Sequence, residues 1–105
     1  MGIEVRVCST TDVPAPSSRR FDLDGHRLCV VHLEPDWYVI GDRCSHDEAS
    51  LAEGDLWIDE CEIECPKHGS TFSLTTGEPQ TLPATQSVPV YEVVIEDDSV
   101  KVVVP

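Results

Sequence analysis

The sequence predicts one all-β domain of antiparallel strands. Short stretches of alternating or β-branched residues recur along the chain, and turn signals containing Gly, Pro, Asp or Ser separate them. The 105 residues are enough for one compact domain with its own core and too few for two. We therefore expect a single domain over residues 1–105.

The first half of the chain predicts four strands that lead to a loop. Two of them flank Asp24-Gly25, a dipeptide that favours a tight hairpin turn. Residues 14–18 include two prolines and two serines, and they predict a loop before that hairpin. The predicted strands cover residues 3–8, 19–23, 26–33 and 37–40.

The second half predicts one helical turn at residues 48–51 and five further strands. Residues 78–89 carry three prolines, which exclude a central strand there because proline cannot donate a ladder hydrogen bond. A closing hairpin is expected around residues 97–99. The five predicted strands cover residues 54–58, 61–65, 71–74, 90–95 and 100–104.

Two short loops carry the chemistry of the chain. Their pattern is Cys44-x-His46, eighteen intervening residues, then Cys65-x-x-His68. A [2Fe–2S] cluster with two cysteines on one iron and two histidines on the other needs this set of four ligands. The two loops resemble the Rieske iron–sulfur motif.

This resemblance covers nearly the whole chain and implies a Rieske iron–sulfur fold, an antiparallel β-sandwich with a small cluster-binding subdomain. It places the cluster-binding loops at about residues 43–50 and 65–72. It also implies that Cys44 and Cys65 bind one iron inside the protein, while His46 and His68 bind the other near the surface. The expected work is one-electron transfer.

Residues around the second loop strengthen the match. Gly69 gives the backbone freedom in φ directly after the histidine. In the Rieske family this stretch packs under the cluster, and the resemblance implies that Ser70 donates a hydrogen bond to a cluster sulfur. Phe72 stands where high-potential relatives carry a tyrosine. The family's proline-containing shielding loop is expected at residues 82–84, with Pro83 beside the cluster.

Two absences relate the chain to the ferredoxin branch of this family. Respiratory-complex members add one cysteine to each loop and join the loops by a disulfide, but the corresponding positions here are Ala49 and Lys67. Few hydrogen bonds to sulfur and a strongly negative chain both stabilise the oxidised cluster. We therefore expect a midpoint potential in the lower half of the roughly −150 to +300 mV Rieske window.

Zinc is the alternative metal for these ligands. Structural zinc sites usually place ligands of one type in each loop, whereas each loop here mixes a thiolate with an imidazole. A single residue between Cys44 and His46 also bends poorly around one tetrahedral ion. Because zinc and iron–sulfur sites share ligand chemistry, a zinc-stapled interaction module remains an alternative.

The remaining cysteines and histidines have a structural interpretation. Cys8 and Cys29 are expected to be small buried core residues, and His26 and His32 to be ordinary strand residues. Cys61 lies in the alternating run 60–64, which predicts a half-buried strand with Cys61 pointing into the core. We expect it to lie outside the cluster.

Charge and composition limit the partners. Twenty acidic and seven basic residues give a formal net charge of −13, which makes nucleic acid an implausible partner. The acidity serves solubility, or it steers the protein towards a basic docking face. Asp47 and Glu48, next to the first ligand loop, are the acidic residues expected to matter for docking. No run is long and apolar enough to span a membrane, and no secretory signal is present, so we expect a cytoplasmic protein with reduced thiols.

The expected role is that of an electron carrier rather than an enzyme, because no catalytic motif or phosphate-binding glycine loop is present. The pattern resembles the ferredoxin component of Rieske non-haem iron oxygenase systems, which passes electrons from a flavin reductase to a terminal oxygenase. A small Rieske protein linked to iron–sulfur cluster assembly is the alternative. We expect a separate monomeric carrier rather than the N-terminal domain of a larger oxygenase.

Overall fold

The computed structural model describes residues 2–23, 25–44, 49–67, 69–82 and 84–104. Within these residues the chain forms nine strands and two single-turn 3-10 helices. The strands are β1 (Ile3–Ser9), β2 (Ser17–Leu23), β3 (His26–His32), β4 (Trp37–Gly41), β5 (Leu56–Trp57), β6 (Glu62–Glu64), β7 (Thr71–Ser73), β8 (Val90–Glu96) and β9 (Ser99–Val104). The 3-10 helices are Thr10–Asp12 and Leu51–Glu53.

The strands form two antiparallel sheets. The large sheet has six strands in the order β1-β9-β8-β4-β3-β2, and the small sheet has three in the order β5-β6-β7. Every strand pair in both sheets is antiparallel. The predicted all-β class is confirmed, and the small sheet is the separate unit that carries the second loop.

Strand β3 lies between two hydrophobic cores. Four consecutive side chains, residues 28–31, are fully buried, which is typical of a strand covered on both faces. Because side chains alternate along a strand, Leu28 and Val30 pack into the core enclosed by the large sheet. Cys29 and Val31 pack on the opposite side, into a second core that we call the loop core. The loop core joins the large sheet to Ile63 and Phe72 of the small sheet and its loops.

Several predicted boundaries are corrected by tertiary pairing. Strand β2 begins at Ser17 rather than after the predicted loop, because Ser17 pairs with His32 of β3. The predicted helical turn at 48–51 lies instead at Leu51–Glu53, and residue 48 is outside the described residues. Strand β5 is shorter than predicted because the Gly54 N–H donates to Leu51 O and closes the 3-10 turn.

Helical structure is limited to these single turns in the described part of the chain. None of the described helices is long and apolar enough to cross a membrane.

Candidate metal centre

The first loop is anchored by a buried carboxylate. Asp42 follows β4 directly and is fully buried. Its side chain accepts hydrogen bonds from Ser50 Oγ at 2.7 Å, from the Ala52 N–H at 2.9 Å and from Arg27 Nη2 at 3.3 Å. Ser50 and Ala52 lie on the far side of the loop from Asp42. The carboxylate therefore joins the two ends of the loop and ties both to β3 through Arg27.

Backbone hydrogen bonds close the base of the same loop. The Cys44 N–H donates to Ala49 O at 3.0 Å, and the Leu51 N–H donates to Asp42 O at 2.7 Å. Cys44 is 2% exposed, so its thiol is held inside the protein. These bonds close the loop between Cys44 and Ala49 at its base.

The second loop is closed around Gly69. The Cys65 N–H donates to Ser70 O at 2.7 Å, and the Gly69 N–H donates to Cys65 O at 3.0 Å. Gly69 has φ +74°, a left-handed conformation that L side chains rarely adopt. The predicted need for glycine here is confirmed by this φ.

Ser70 connects the second loop to the segment that follows β7. Its side chain is fully buried, and its Oγ accepts a hydrogen bond from the Ala84 N–H at 3.1 Å. Because a hydroxyl both donates and accepts, the Ser70 proton remains available for a second acceptor. Thr81 Oγ1 also accepts from the Thr71 N–H at 2.9 Å. Thr81 and Ala84, on either side of the predicted shielding residue, therefore both contact the region of the second loop and β7.

The two cysteines of the motif meet in one core. Cys44 and Cys65 both belong to the loop core, where they are 2% and 0% exposed. All five cysteines of the chain lie within the described residues, and none of them forms a disulfide there. Two buried thiols at the bases of two closed loops fit the cysteine half of a [2Fe–2S] ligand set, because a bound metal compensates thiolate charge in an apolar core.

Three of the predicted site residues lie outside the described residues: His46, His68 and Pro83. The same holds for Asp47 and Glu48, the acidic residues predicted to assist docking. Within the described residues no group of three or more His, Cys, Asp or Glu side chains is gathered in a metal-binding arrangement.

The other cysteines divide into two cases. Cys8 and Cys29 are 3% and 0% exposed, as expected for core residues, and burial raises the pKa of both thiols. The strand prediction for Cys61 is wrong, since the residue lies in a turn with φ 57° and precedes β6, but Cys61 does pack against the loop core as predicted. It is half-buried beside Tyr38, and a hydrogen bond to Cys61 is the main cause that raises the pKa of Tyr38 to about 12.

The two remaining histidines make structural contacts. The His32 ring stacks on Trp37 with 3.8 Å between ring centroids, and its Nδ1 lies 2.8 Å from Val13 O. His26 Nδ1 lies 3.2 Å from the Tyr91 hydroxyl. Both histidines are therefore ordinary strand residues, as predicted.

Sequence reasoning missed the anchoring role of Asp42. One signal was present, because an aspartate directly after the apolar strand β4 is an unusual choice for a buried position. Its partners were not evident, since Arg27 is fifteen residues away and Ser50 lies across the loop. The contact of Ala84 with Ser70, fourteen residues apart, was equally hidden.

Comparison with known families decides the identity of this site. A family model of the Rieske [2Fe-2S] domain matches residues 3–92. The chain belongs to the Rieske [2Fe–2S] domain family. Its cofactor is accordingly a [2Fe–2S] cluster, and the predicted family, fold and cofactor are confirmed.

Curated Rieske relatives are ferredoxin subunits. The chain is 34% identical over 98 residues to the 3-phenylpropionate/cinnamic acid dioxygenase ferredoxin subunit of Photorhabdus laumondii, covering 93% of this chain and 91% of the relative. It is 35% identical over 101 residues to the subunit of the same name from Escherichia coli K12, covering 96% and 93%.

Solved Rieske structures agree with this relationship. The ferredoxin of carbazole 1,9a-dioxygenase from Nocardioides aromaticivorans superimposes with a TM-score of 0.90 at 35% identity, covering 94% of this chain and 95% of that one. A complex of reduced oxygenase and oxidised ferredoxin in carbazole 1,9a-dioxygenase contains a chain that matches with a TM-score of 0.86 at 37% identity, with coverage of 95% and 92%. This Rieske protein is an electron-transfer component and not a catalyst in its own right, as the sequence predicted.

Proposed function

We propose that this Rieske protein carries single electrons from a flavin reductase to the terminal oxygenase of a dioxygenase system. The observation that carries the proposal is the meeting of Cys44 and Cys65 in one buried core at the bases of two closed loops. Support comes from relatives named as dioxygenase ferredoxin subunits, and from the match of this chain to a chain in a solved oxygenase–ferredoxin complex.

The proposed ligands are the four residues of the sequence motif. Cys44 and Cys65 hold one iron of the cluster, and His46 and His68 hold the other. When bound, the cluster supplies a site that accepts and releases one electron. Because the two cysteines are buried, the histidine side of the site is the proposed exit for the electron.

The residues of the second loop tune this site. Ser70 is fully buried and its Oγ accepts from the Ala84 N–H, so its own proton is available to donate to a sulfur of the proposed cluster. Phe72 is also fully buried and has no hydroxyl to donate. The lack of a hydroxyl on Phe72 and the acidity of the protein both favour the oxidised cluster, which supports a midpoint in the lower half of the Rieske window.

The proposed organisation is one domain over residues 1–105, with cluster-binding loops at about 43–50 and 65–72. The proposed partners are a flavin reductase and a terminal oxygenase, met by a monomeric carrier in the cytoplasm. A net charge of −13 supports docking to basic protein surfaces and opposes binding to nucleic acid.

The ligand proposal is tested by visible absorption and low-temperature EPR before and after reduction with dithionite. We expect a Rieske-type signal on reduction, and we expect His46→Ala and His68→Ala each to abolish it. Cys61→Ala is the matched control, because Cys61 is a half-buried thiol placed outside the ligand set. A colourless, EPR-silent protein with stoichiometric zinc would overturn the proposal.

The partner proposal needs a separate test. The chain should replace the ferredoxin in a reconstituted carbazole 1,9a-dioxygenase system and support NADH-dependent product formation. A protein that shows the Rieske signal, is reduced by the flavin reductase and still gives no oxygenase turnover would contradict the oxygenase role while leaving the ligand proposal intact.

A further inference from the structure

A groove lies on the outer face of the small sheet, beside the second loop. It has a volume of about 320 Å³, and we call it the outer groove. The register pairs Trp57 with Glu62 and Glu64 with Thr71, which places these four side chains on the face opposite the core residue Ile63. The groove is lined by Trp57, Glu60, Glu62, Glu64, Gly69 and Thr71, with Thr81 at one side.

The walls of the outer groove carry three carboxylates. Glu64 is oriented by Trp57, whose Nε1–H donates to Glu64 Oε1 at 3.0 Å. The second oxygen of this carboxylate, Oε2, is the proposed acceptor for an incoming donor. Glu60 and Glu62 line the same groove as Trp57 and add negative charge to it. A groove with this charge and an aromatic wall is suited to a planar cation.

Thr71 supplies an independent indication of a ligand. Its side chain is only 7% exposed, and its Oγ1 is buried with no hydrogen-bond partner among the described residues. Both backbone polar groups of Thr71 are already hydrogen-bonded. Its N–H donates to Thr81 Oγ1, and its C=O accepts from the Gln80 N–H. Buried polar atoms are almost always paired, so this hydroxyl is poised for a partner that enters the groove.

The rim of the outer groove has the composition of a protein interface. Trp57 is 45% exposed, and its neighbour Ile58 is 52% exposed. Leu82, which directly follows the lining residue Thr81 in the chain, is 78% exposed. Exposed large apolar residues around a charged recess mark a contact surface for another protein rather than a site for a free ion.

We propose that the outer groove receives an arginine side chain of the redox partner, an inference that rests on the proposed function. The guanidinium stacks on Trp57, donates to Glu64 and Glu62, and donates a further N–H to Thr71 Oγ1. Arginine fits better than lysine because its planar fork offers five donors and stacks on an aromatic face. This contact brings the partner against Gly69, next to the second loop.

The test uses the oxidised, cluster-loaded protein and two blocked tripeptides, Gly-Arg-Gly and the same peptide with neutral citrulline. The readout is the indole ¹H–¹⁵N resonance of Trp57, assigned through Trp57→Phe. We expect the arginine peptide to shift this resonance and the citrulline peptide to leave it in place. Glu64→Gln should weaken the binding of the arginine peptide by about fivefold, as expected for the loss of a partly exposed ion pair.

Two further variants separate groove contacts from general charge. Glu92→Gln removes the same charge from an exposed position on β8 of the large sheet and should leave the affinity unchanged. Thr71→Val should weaken the binding of the arginine peptide without lowering the stability of the fold, because the hydroxyl has no hydrogen-bond partner within the described part of the protein. The inference is wrong if Glu64→Gln and Glu92→Gln have equal effects, or if citrulline binds as well as arginine. The Rieske EPR signal of each variant shows whether the proposed function itself holds.

Discussion

The hydroxyl of Ser50 donates a hydrogen bond to Oδ2 of Asp42 at 2.7 Å, joining the two sides of the first loop at its base. Both residues are buried, and Asp42 is completely inaccessible to solvent. A short charge-assisted bond in such a place is strong, because water does not compete for either partner. The first loop is therefore closed before any metal is considered.

Asp42→Ala is expected to destabilise the protein by about 3–5 kcal/mol, because it leaves Arg27 and Ser50 without their buried acceptor. The measurement is urea unfolding followed by far-ultraviolet circular dichroism. Asp22→Ala is the control, since the Asp22 side chain is 64% exposed and pairs only with Arg20 at the surface. A loss in Asp42→Ala no larger than in Asp22→Ala would contradict the anchoring role.

Gly54→Ala is expected to disturb both loops at once. A Cβ at Gly54 would stand 1.6 Å from Glu64 O, where the chain after the first loop passes the strand that leads to Cys65. Backbone atoms cannot yield cheaply, so we expect a loss of several kcal/mol and a lower iron content of the purified protein. Gly25→Ala is the comparison, because Gly25 has φ +84° but open space around it, and only about 1 kcal/mol is expected.

Ser70→Ala is expected to lower the midpoint potential by some tens of millivolts, because the reduced cluster loses a hydrogen bond that stabilises its added charge. Voltammetry of the two proteins measures the difference. Ser73→Ala serves as the control, since Ser73 lies on the same strand region but hydrogen-bonds with Thr75 at the surface. Equal midpoints in Ser70→Ala and the unmodified protein would rule out the proposed bond.

The stability of the protein is expected to fall as the pH rises above about 9. Burial, the largest cause, raises the pKa of the Cys8 thiol from 9.0 to about 11, and burial also raises that of Cys29. The unfolded chain therefore releases these protons at a lower pH than the folded protein. The free energy of unfolding has its full value at a pH below the pKa that the thiols have in the unfolded chain. It falls as the pH rises from 9 to 11, by up to about 1.4 kcal/mol per pH unit for each thiol.

Cys8→Ala should make this alkaline decline shallower, as measured by urea unfolding at a series of pH values. Val100→Ala provides a matched control, because Val100 pairs with Cys8 across β1 and β9 and lies in the same core. It should lower stability equally at every pH. An unchanged slope in Cys8→Ala would show that the thiol does not titrate in this range.

Local patterns in the sequence predicted most of the strands and the location of Cys44 and Cys65 at the two loops. The pairing of β2 with β3, the closing hairpin of β8 and β9, and the strand leading to Cys65 all follow from period-two alternation and turn residues. These features depend on neighbours within a few residues. The ligand motif is local in the same sense, because each loop places its thiol and imidazole within four residues.

Cys61 shows where such reasoning fails. Alternation with glutamates indicated a strand residue, but Cys61 adopts φ 57° in a turn held by its backbone. Its N–H donates to Ile58 O, and its C=O accepts from the Leu74 N–H of the next segment. A side-chain pattern carries no information about a distant backbone donor, so the strand was predicted one residue too early.

The sequence by itself determined the all-β class, the two loops and the family to which the chain belongs. Only the tertiary structure decided that Asp42 closes the first loop, that Ser70 Oγ accepts a hydrogen bond from the Ala84 N–H, and that Trp57 and Glu64 lie on the same outer face of the small sheet. The physical reason is the sequence separation between the residues that interact. Strand periodicity and ligand spacing are properties of adjacent residues, whereas these contacts depend on the register and packing of strands that are distant in the chain.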